Sequence, residues 1–409
     1  MVIKKISFDD VNYIVVKAEL DLEERILTLN LNDNKFKQVF NCYYEELSDN
    51  NSKLNTFCNC YLEDDKGIFY TCFGCVWGFN RKNNQSNIKV YTAPINIIFK
   101  NRIVKEELDD KKITGLRFKT SYPLHTQFKF HIAIFDIKYD SRKKITISKS
   151  KDDNKYYIDL CINSSVEVTF KTLSKILYSI LEMFFLILGD IPKLESIILY
   201  DDIGSFNLYR ELVDKYHQRN GINPNNEIIS NIIPATINST TIKEFVNFRN
   251  KTSILFDMLM IDMNNNGYLE INNSSLLQLL DGLSKTIGPY KDEEFREILE
   301  YYFKSNKSTK YILSNRDKRM INLGTGPKKD YVFIIKSIGH RNYLSHLDVN
   351  RNRKVFIGIE NNYAYWKLSL CARLYIMDYL GIDIDKKEVK KLLKSIDAWA
   401  VNRHLRYKL

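Results

Sequence analysis

The residues best equipped for a reaction crowd into seven consecutive positions, His340-Arg341-Asn342-Tyr343-Leu344-Ser345-His346. They follow the apolar run Tyr331-Val332-Phe333-Ile334-Ile335, so the cluster falls toward the C-terminal end of a helix expected from Asp330 to about Ser345. On such a helix Asn342 and His346 stand at i,i+4 and share a face, with Arg341 and Ser345 on the neighbouring stripe. One edge then presents a fixed cation, a titratable imidazole, an amide and a hydroxyl. That set suits cleavage of RNA by its own ribose 2′-hydroxyl. His346 can move a proton near its ordinary pKa, and Arg341 can neutralise charge that builds on the phosphorane. Because RNA carries the nucleophile, no metal and no cofactor is expected. Basic residues near a helix C-terminus can also do no more than offset the dipole and cap carbonyls. Residue types alone leave both readings open.

Other chemistry-bearing patterns are weaker. Asp262-Met263-Asn264-Asn265-Asn266-Gly267 matches the first six positions of a calcium loop, but its twelfth position is Asn273 where a bidentate Glu is required. A helix-to-helix turn is the better reading, since Asn and Gly favour turns. Gly324-Thr325-Gly326-Pro327-Lys328-Lys329 lacks the spacing and the Lys-Ser/Thr ending of a phosphate loop, although Lys328 and Lys329 can touch an RNA backbone. Cys58, Cys60, Cys72 and Cys75 form C-x-C and C-x-x-C pairs with a superficial likeness to a zinc site. They lie in strand-like runs, and buried free thiols are expected there. None of the six histidines has H-E-x-x-H spacing, and there is no G-x-S-x-G elbow.

The elements that must position the cluster follow from composition and periodicity. The 409 residues are 44% hydrophobic, enough for two or three cores. Lys and Arg outnumber Asp and Glu by 61 to 50, a net charge of +11 compatible with a polyanionic partner. An odd count of seven cysteines in a large chain argues for free thiols. The N-terminus has no secretory pattern and the most apolar stretch, Ile176 to Leu188, is too short to span a bilayer, so a cytoplasmic protein with no membrane segment is expected. The expected fold class is α+β and multidomain. Residues 1–200 alternate with period two, as in Ile26-Leu27-Thr28-Leu29-Asn30-Leu31, and predict an antiparallel β-sandwich-like domain. A helix from Thr172 to Leu188 closes at Gly189, and a strand from Ser196 to Tyr200 follows. Residues 201–238 read as a linker. From 239 to 409 the pattern predicts an all-α bundle, with a capping box Thr241-x-x-Glu244 opening a helix to about Met260. Further helices are expected at Ser275–Thr286, Asp292–Lys304 and Asn362–Leu380.

In this setting Ser337-Ile338-Gly339-His340-Arg341-Asn342-Tyr343-Leu344-Ser345-His346 resembles the HEPN signature, an Arg separated by four to six residues from a His with a polar residue after the Arg. It is most similar to the ApeA-like subgroup, with its Arg-Asn-Tyr-x-Ser/Thr-His form, its following polar loop and its last long apolar helix, here Tyr363 to Leu380. A β-rich N-terminal domain, with Gly67-Ile68-Phe69-Tyr70-Thr71-Cys72-Phe73 and Leu116-Arg117-Phe118 in a similar arrangement, adds to the likeness. The resemblance implies a C-terminal HEPN helical bundle acting as a metal-independent RNA endonuclease. It further implies bacterial anti-phage defence by abortive infection, answering to a phage-derived trigger. Products would carry a cyclic phosphate and a 5′-hydroxyl, and transfer RNA is the preferred substrate by family analogy. It implies a homodimer through the HEPN domain, two motifs facing each other across a shared cleft. Arg341, Asn342 and His346 carry over as catalytic residues, with Ser345, His340 and Tyr343 in support. Asp281 is the candidate for an acidic residue that many members carry near the end of the second helix. Lys328, Lys329, Arg351 and Arg353 are the candidate RNA contacts. The alternative is a non-catalytic HEPN module that binds RNA, a nucleotide or a protein partner as a sensor or regulator.

Overall fold

The structure is a computed structural model. It describes residues 1–8, 11–22, 25–30, 57–79, 89–92, 97–101, 108–123, 135–138, 140–151, 155–189, 193–202, 204–210, 235–237, 239–264, 268–322, 329–346 and 354–407. The first strands are β1 (Val2–Ser7), β2 (Ile14–Asp21), β3 (Ile26–Asn30), β4 (Phe57–Asp64), β5 (Phe69–Phe79), β6 (Lys89–Thr92) and β7 (Ile97–Lys100). Their alternation places Ile3, Val16, Ala18, Leu20, Leu27 and Leu29 on one buried side, as a period-two strand must. The pairings run β4 to β1, β1 to β2, β2 to β3, β3 to β6, β6 to β5 and β5 back to β4, all antiparallel. This six-member ring encloses its own apolar core, which includes Ile3, Leu27, Cys60, Leu62, Cys72 and Ile98.

β5 is long enough to serve two neighbours along one edge, β6 through Trp77–Phe79 and β7 through Tyr70–Phe73. Through β7 the sheet continues into β8 (Lys112–Pro123), β9 (Phe135–Lys138), β10 (Lys143–Lys151), β11 (Lys155–Thr169), β12 (Lys193–Tyr200) and β13 (Ser205–Arg210). The whole order is β4-β1-β2-β3-β6-β5-β7-β13-β12-β8-β11-β10-β9. A two-sheet sandwich is therefore corrected to one continuous antiparallel sheet that curls closed at one end. The linker expected over 201–238 is corrected too, since β13 lies within it and pairs with both β12 and β7.

Helix α1 (Phe170–Leu188) covers the open part of the sheet. The Thr169 side chain accepts from Thr172 N at its start, and Gly189 ends it at φ 74°, a left-handed conformation that glycine adopts at little cost. The remaining elements are β14 (Ala235–Thr236), α2 (Ser239–Lys251), α3 (Ser253–Asn264), α4 (Leu269–Ile287) and α5 (Phe295–Glu300), which continues as a π-helical turn over Tyr301–Ser305. They are followed by β15 (Met320–Asn322), β16 (Lys329–Tyr331), α6 (Val332–His346), α7 (Ile359–Tyr379), β17 (Asp383–Ile384) and α8 (Lys386–Asn402). The all-α expectation for 239–409 is corrected by the β15–β16 hairpin and by β17, which pairs with β14. The helix expected to run unbroken to Met260 is two helices, parted where Thr252 donates its hydroxyl back to Phe248 O. Thr241 is buried inside α2, so it is no capping residue.

The helical region shares one core with the sheet. Phe118 and Leu160 of the sheet, Phe184 and Phe185 of α1, Phe256 of α3 and Leu277 of α4 belong to a single apolar cluster. Two arginines tie the seam. Buried Arg373 on α7 donates to Leu186 O and Ile187 O, the exposed-carbonyl end of α1, where a cation complements the helix dipole. Arg249 on α2 forks onto Glu182 of α1 at 2.6 and 3.0 Å. Among the described residues no helix is long and apolar enough to cross a membrane.

Candidate active site

The C-terminal half of α6 carries the Arg341 to His346 motif, and its position depends on what the rest of that helix buries. Val332, Phe333, Ile334 and Ile335 are all core residues. Lys336, in the middle of this apolar stretch, is fully buried as well. Its ammonium donates to Val355 O at 2.7 Å and to Glu360 Oε2 at 2.8 Å, and the same carboxylate oxygen accepts from Ile357 N at 3.0 Å. Burial pulls the Lys336 pKa down, with Glu360 opposing the shift. The pair thus pins the start of α7 and the segment before it onto α6. Gly339 completes the closure, because a Cβ there would lie 2.4 Å from Lys354 O. The chain returning from the motif crosses α6 at the one residue without a side chain.

His340 faces inward. It is 2% exposed, its Nε2 lies 2.8 Å from Glu270 O on α4, and its ring packs 5.6 Å from Phe356. A carbonyl only accepts, so Nε2 carries the proton and Nδ1, which is buried without a partner, is bare. Burial lowers the His340 pKa. This imidazole supports the site by locking α6 on α4. It is not placed to touch RNA.

Arg341, the next residue, points to the other side of the helix contact. Its Nη2 lies 3.3 Å from Asp281 Oδ2 on α4, and its guanidinium carbon sits 4.5 Å from the centre of the Phe295 ring on α5. Lys285, one turn beyond Asp281, holds the other carboxylate oxygen at 2.9 Å. The Asp281 side chain is 13% exposed and that of Arg341 32%, so the guanidinium is oriented from behind while part of it reaches solvent. Three helices converge on it: α4 supplies the carboxylate, α5 the aromatic face and α6 the cation. The Nε of this guanidinium is buried without a partner, so only the outward N–H groups of its two terminal nitrogens can be offered to a phosphodiester.

Asn342 and Tyr343 are half-buried on α6, and the backbone of Leu344, Ser345 and His346 continues the helix; the side chains of those three lie outside the described residues. Lys329 is exposed on β16, while Lys328, Arg351 and Arg353 lie outside the described residues. The structure therefore brings Arg341 and Asp281 together. Sequence reasoning missed Lys285, Phe295, Lys336 and Glu360. Lys336 left a signal, a charge inside an apolar helical run, which needs a buried partner. Asp281 and Lys285 left another in their i,i+4 spacing.

The competing patterns are also placed. Asn273, the position that calcium would require as Glu, is buried in α4 and donates its amide to Asn361 O and Oδ1. Cys60, Cys72 and Cys75 are buried in the ring core, with Cys60 Sγ 3.5 Å from Cys75 Sγ, and the side chain of Cys58 is not described. The hydrogen bond with Cys60, together with burial, pushes the Cys75 thiol up, so it stays protonated. Among the described residues no three of His, Cys, Asp and Glu gather as a metal would require. The Gly324-Thr325-Gly326 stretch lies outside the described residues. Comparison with family models, with curated proteins and with solved structures returns no match.

Proposed function

We propose that this chain is a HEPN-type, metal-independent endoribonuclease of anti-phage defence. The observation that supports it is Arg341, held by Asp281 over the Phe295 ring at the end of the helix that also carries Asn342 and His346. In this reading a phosphodiester of RNA lies against the free edge of the guanidinium. The ribose 2′-hydroxyl attacks phosphorus, the bond to the 5′-oxygen breaks, and His346 moves a proton between the two oxygens. Arg341 offsets the charge on the phosphorane. The products are a 2′,3′-cyclic phosphate and a 5′-hydroxyl. Two chains pair through their helical regions so that the two motifs share a cleft, and transfer RNA is the favoured substrate. Cytoplasmic action, abortive infection and a phage-derived trigger complete the reading.

The test is expression in bacteria with and without phage challenge, followed by mapping of RNA ends. Wild-type chain is expected to arrest growth and yield new 5′-hydroxyl ends, and the His346→Ala chain to yield neither. RNA that stays intact in challenged, arrested cells would overturn the nuclease and leave the module that binds without cutting.

A further inference from the structure

A second feature lies far along the chain from the helix end. β11 pairs with β8 at Asn163–Gly115 and next at Val168–Ile113, so β11 advances five positions while β8 advances two, and residues 164–167 arch away from β8 while Ser164 stays paired with Lys143 of β10. The start of this arch and the turn before β10 border an open, shallow cup of about 620 Å³, lined by residues 140–144 and 163–165. That size falls within the range of small-ligand pockets.

The rim is built and basic. Asp140 spends its carboxylate inside the turn: Oδ1 accepts from Arg142 N and Lys143 N, each at 2.7 Å, and Oδ2 takes the Lys143 ammonium at 2.9 Å. Ser165 N donates to Arg142 O at 2.9 Å, clipping the turn to the arch. The one acid of the lining is thus neutralised and the backbone of Arg142 is fixed. The Arg142 side chain is exposed, and among the described residues no carboxylate pairs with it. Lys144 flanks it, and Ser141 and Ser165 add exposed hydroxyls. A guanidinium and hydroxyl donors around one concavity, in a field made positive by Lys144 alongside, match the three oxygens of a phosphate monoester better than the two of a carboxylate.

We propose that this cup binds a phosphate-bearing ligand of nucleotide size, with Arg142 as its principal anchor. The site is independent of the nuclease reading. Isothermal titration of the full chain with adenosine monophosphate, with inorganic phosphate and with adenosine tests it. The monophosphate is expected to bind, phosphate to compete with it, and adenosine to give no heat. Arg142→Ala and Lys144→Ala change exposed side chains, and the double variant is expected to keep the wild-type melting curve and bind about tenfold more weakly or worse. The His346→Ala chain is expected to bind as wild type. Silence of monophosphate and phosphate at millimolar levels would overturn the proposal, as would a short RNA binding where they do not. Equal affinity for adenosine, equal affinity in the double variant, or loss of binding in His346→Ala would each do the same.

Discussion

The most consequential structural commitment near the motif is the Lys336–Glu360 pair, and its removal has a calculable effect. Both side chains are almost wholly out of solvent, at 0% and 3% exposure, and their charged atoms are 2.8 Å apart. Lys336→Met keeps the apolar stem and deletes the cation, leaving the Glu360 carboxylate, which also accepts from Ile357 N, buried without its ammonium partner. Breaking a buried pair from one side costs about 3–5 kcal/mol, because an uncompensated charge remains. Replacing both partners, Lys336→Met with Glu360→Leu, removes that charge, and the double variant is expected to recover about half of the loss or more. Urea unfolding of wild type, both single variants and the double variant gives the coupling energy. It is expected at about 2 kcal/mol or above, with Lys336→Met the least stable chain. A single-variant cost below about 1 kcal/mol, or additive effects, would refute the reasoning, since it would mean that solvent already reaches the pair.

Three further outcomes follow from named contacts. Asp281→Asn loosens the hold on Arg341 and is expected to lower RNA cleavage about tenfold or more at saturating substrate, while shifting stability by less than about 1 kcal/mol; unchanged cleavage would remove Asp281 from the positioning role. Gly339→Ala drives a methyl into Lys354 O and is expected to destabilise the chain by about 1–3 kcal/mol in urea unfolding, whereas Gly67→Ala, which meets no atom, acts only through its φ of 73°. Asp262 is buried on α3, and burial raises its carboxyl to about 7 from 3.8. The folded state therefore holds this proton where the unfolded state has released it, and stability declines as pH rises from about 4 to about 7. Asp262→Asn is expected to flatten that decline and to stabilise the chain at pH 8 by on the order of 3 kcal/mol, read from unfolding curves at several pH values.

Local signals carried much of the architecture. Gly189 after an apolar run marked the end of α1, and period-two alternation marked β3. Closure of the ring was hidden, because it depends on β4 meeting β1 and β6 meeting β3, pairings that connect residues far apart in the chain, the first with a bulge at Ile3/Lys5. β13 was hidden by composition: Ser205 and Asn207 read as linker, yet they alternate with Phe206 and Leu208, which are buried against the sheet. Thr241-x-x-Glu244 carried the pattern of a capping box, but the helix starts at Ser239 and Thr241 packs inside it. At the candidate site, Arg341 and Asp281 were legible as types and as rough positions. Phe295 and Lys285 were not, because only the crossing of α4, α5 and α6 brings them to the guanidinium. The inward role of His340 was not legible either: its ring is buried and spent on Glu270 O.

Whether Arg341 and His346 cleave RNA without a metal is decided with purified chain, transfer RNA and a chelator. Cleavage is expected to continue in the chelator with 2′,3′-cyclic phosphate ends, and to be abolished in His346→Ala and in Arg341→Ala while both variants unfold at the wild-type urea concentration. Cleavage that needs added metal, or that persists in folded His346→Ala chain, would contradict that expectation.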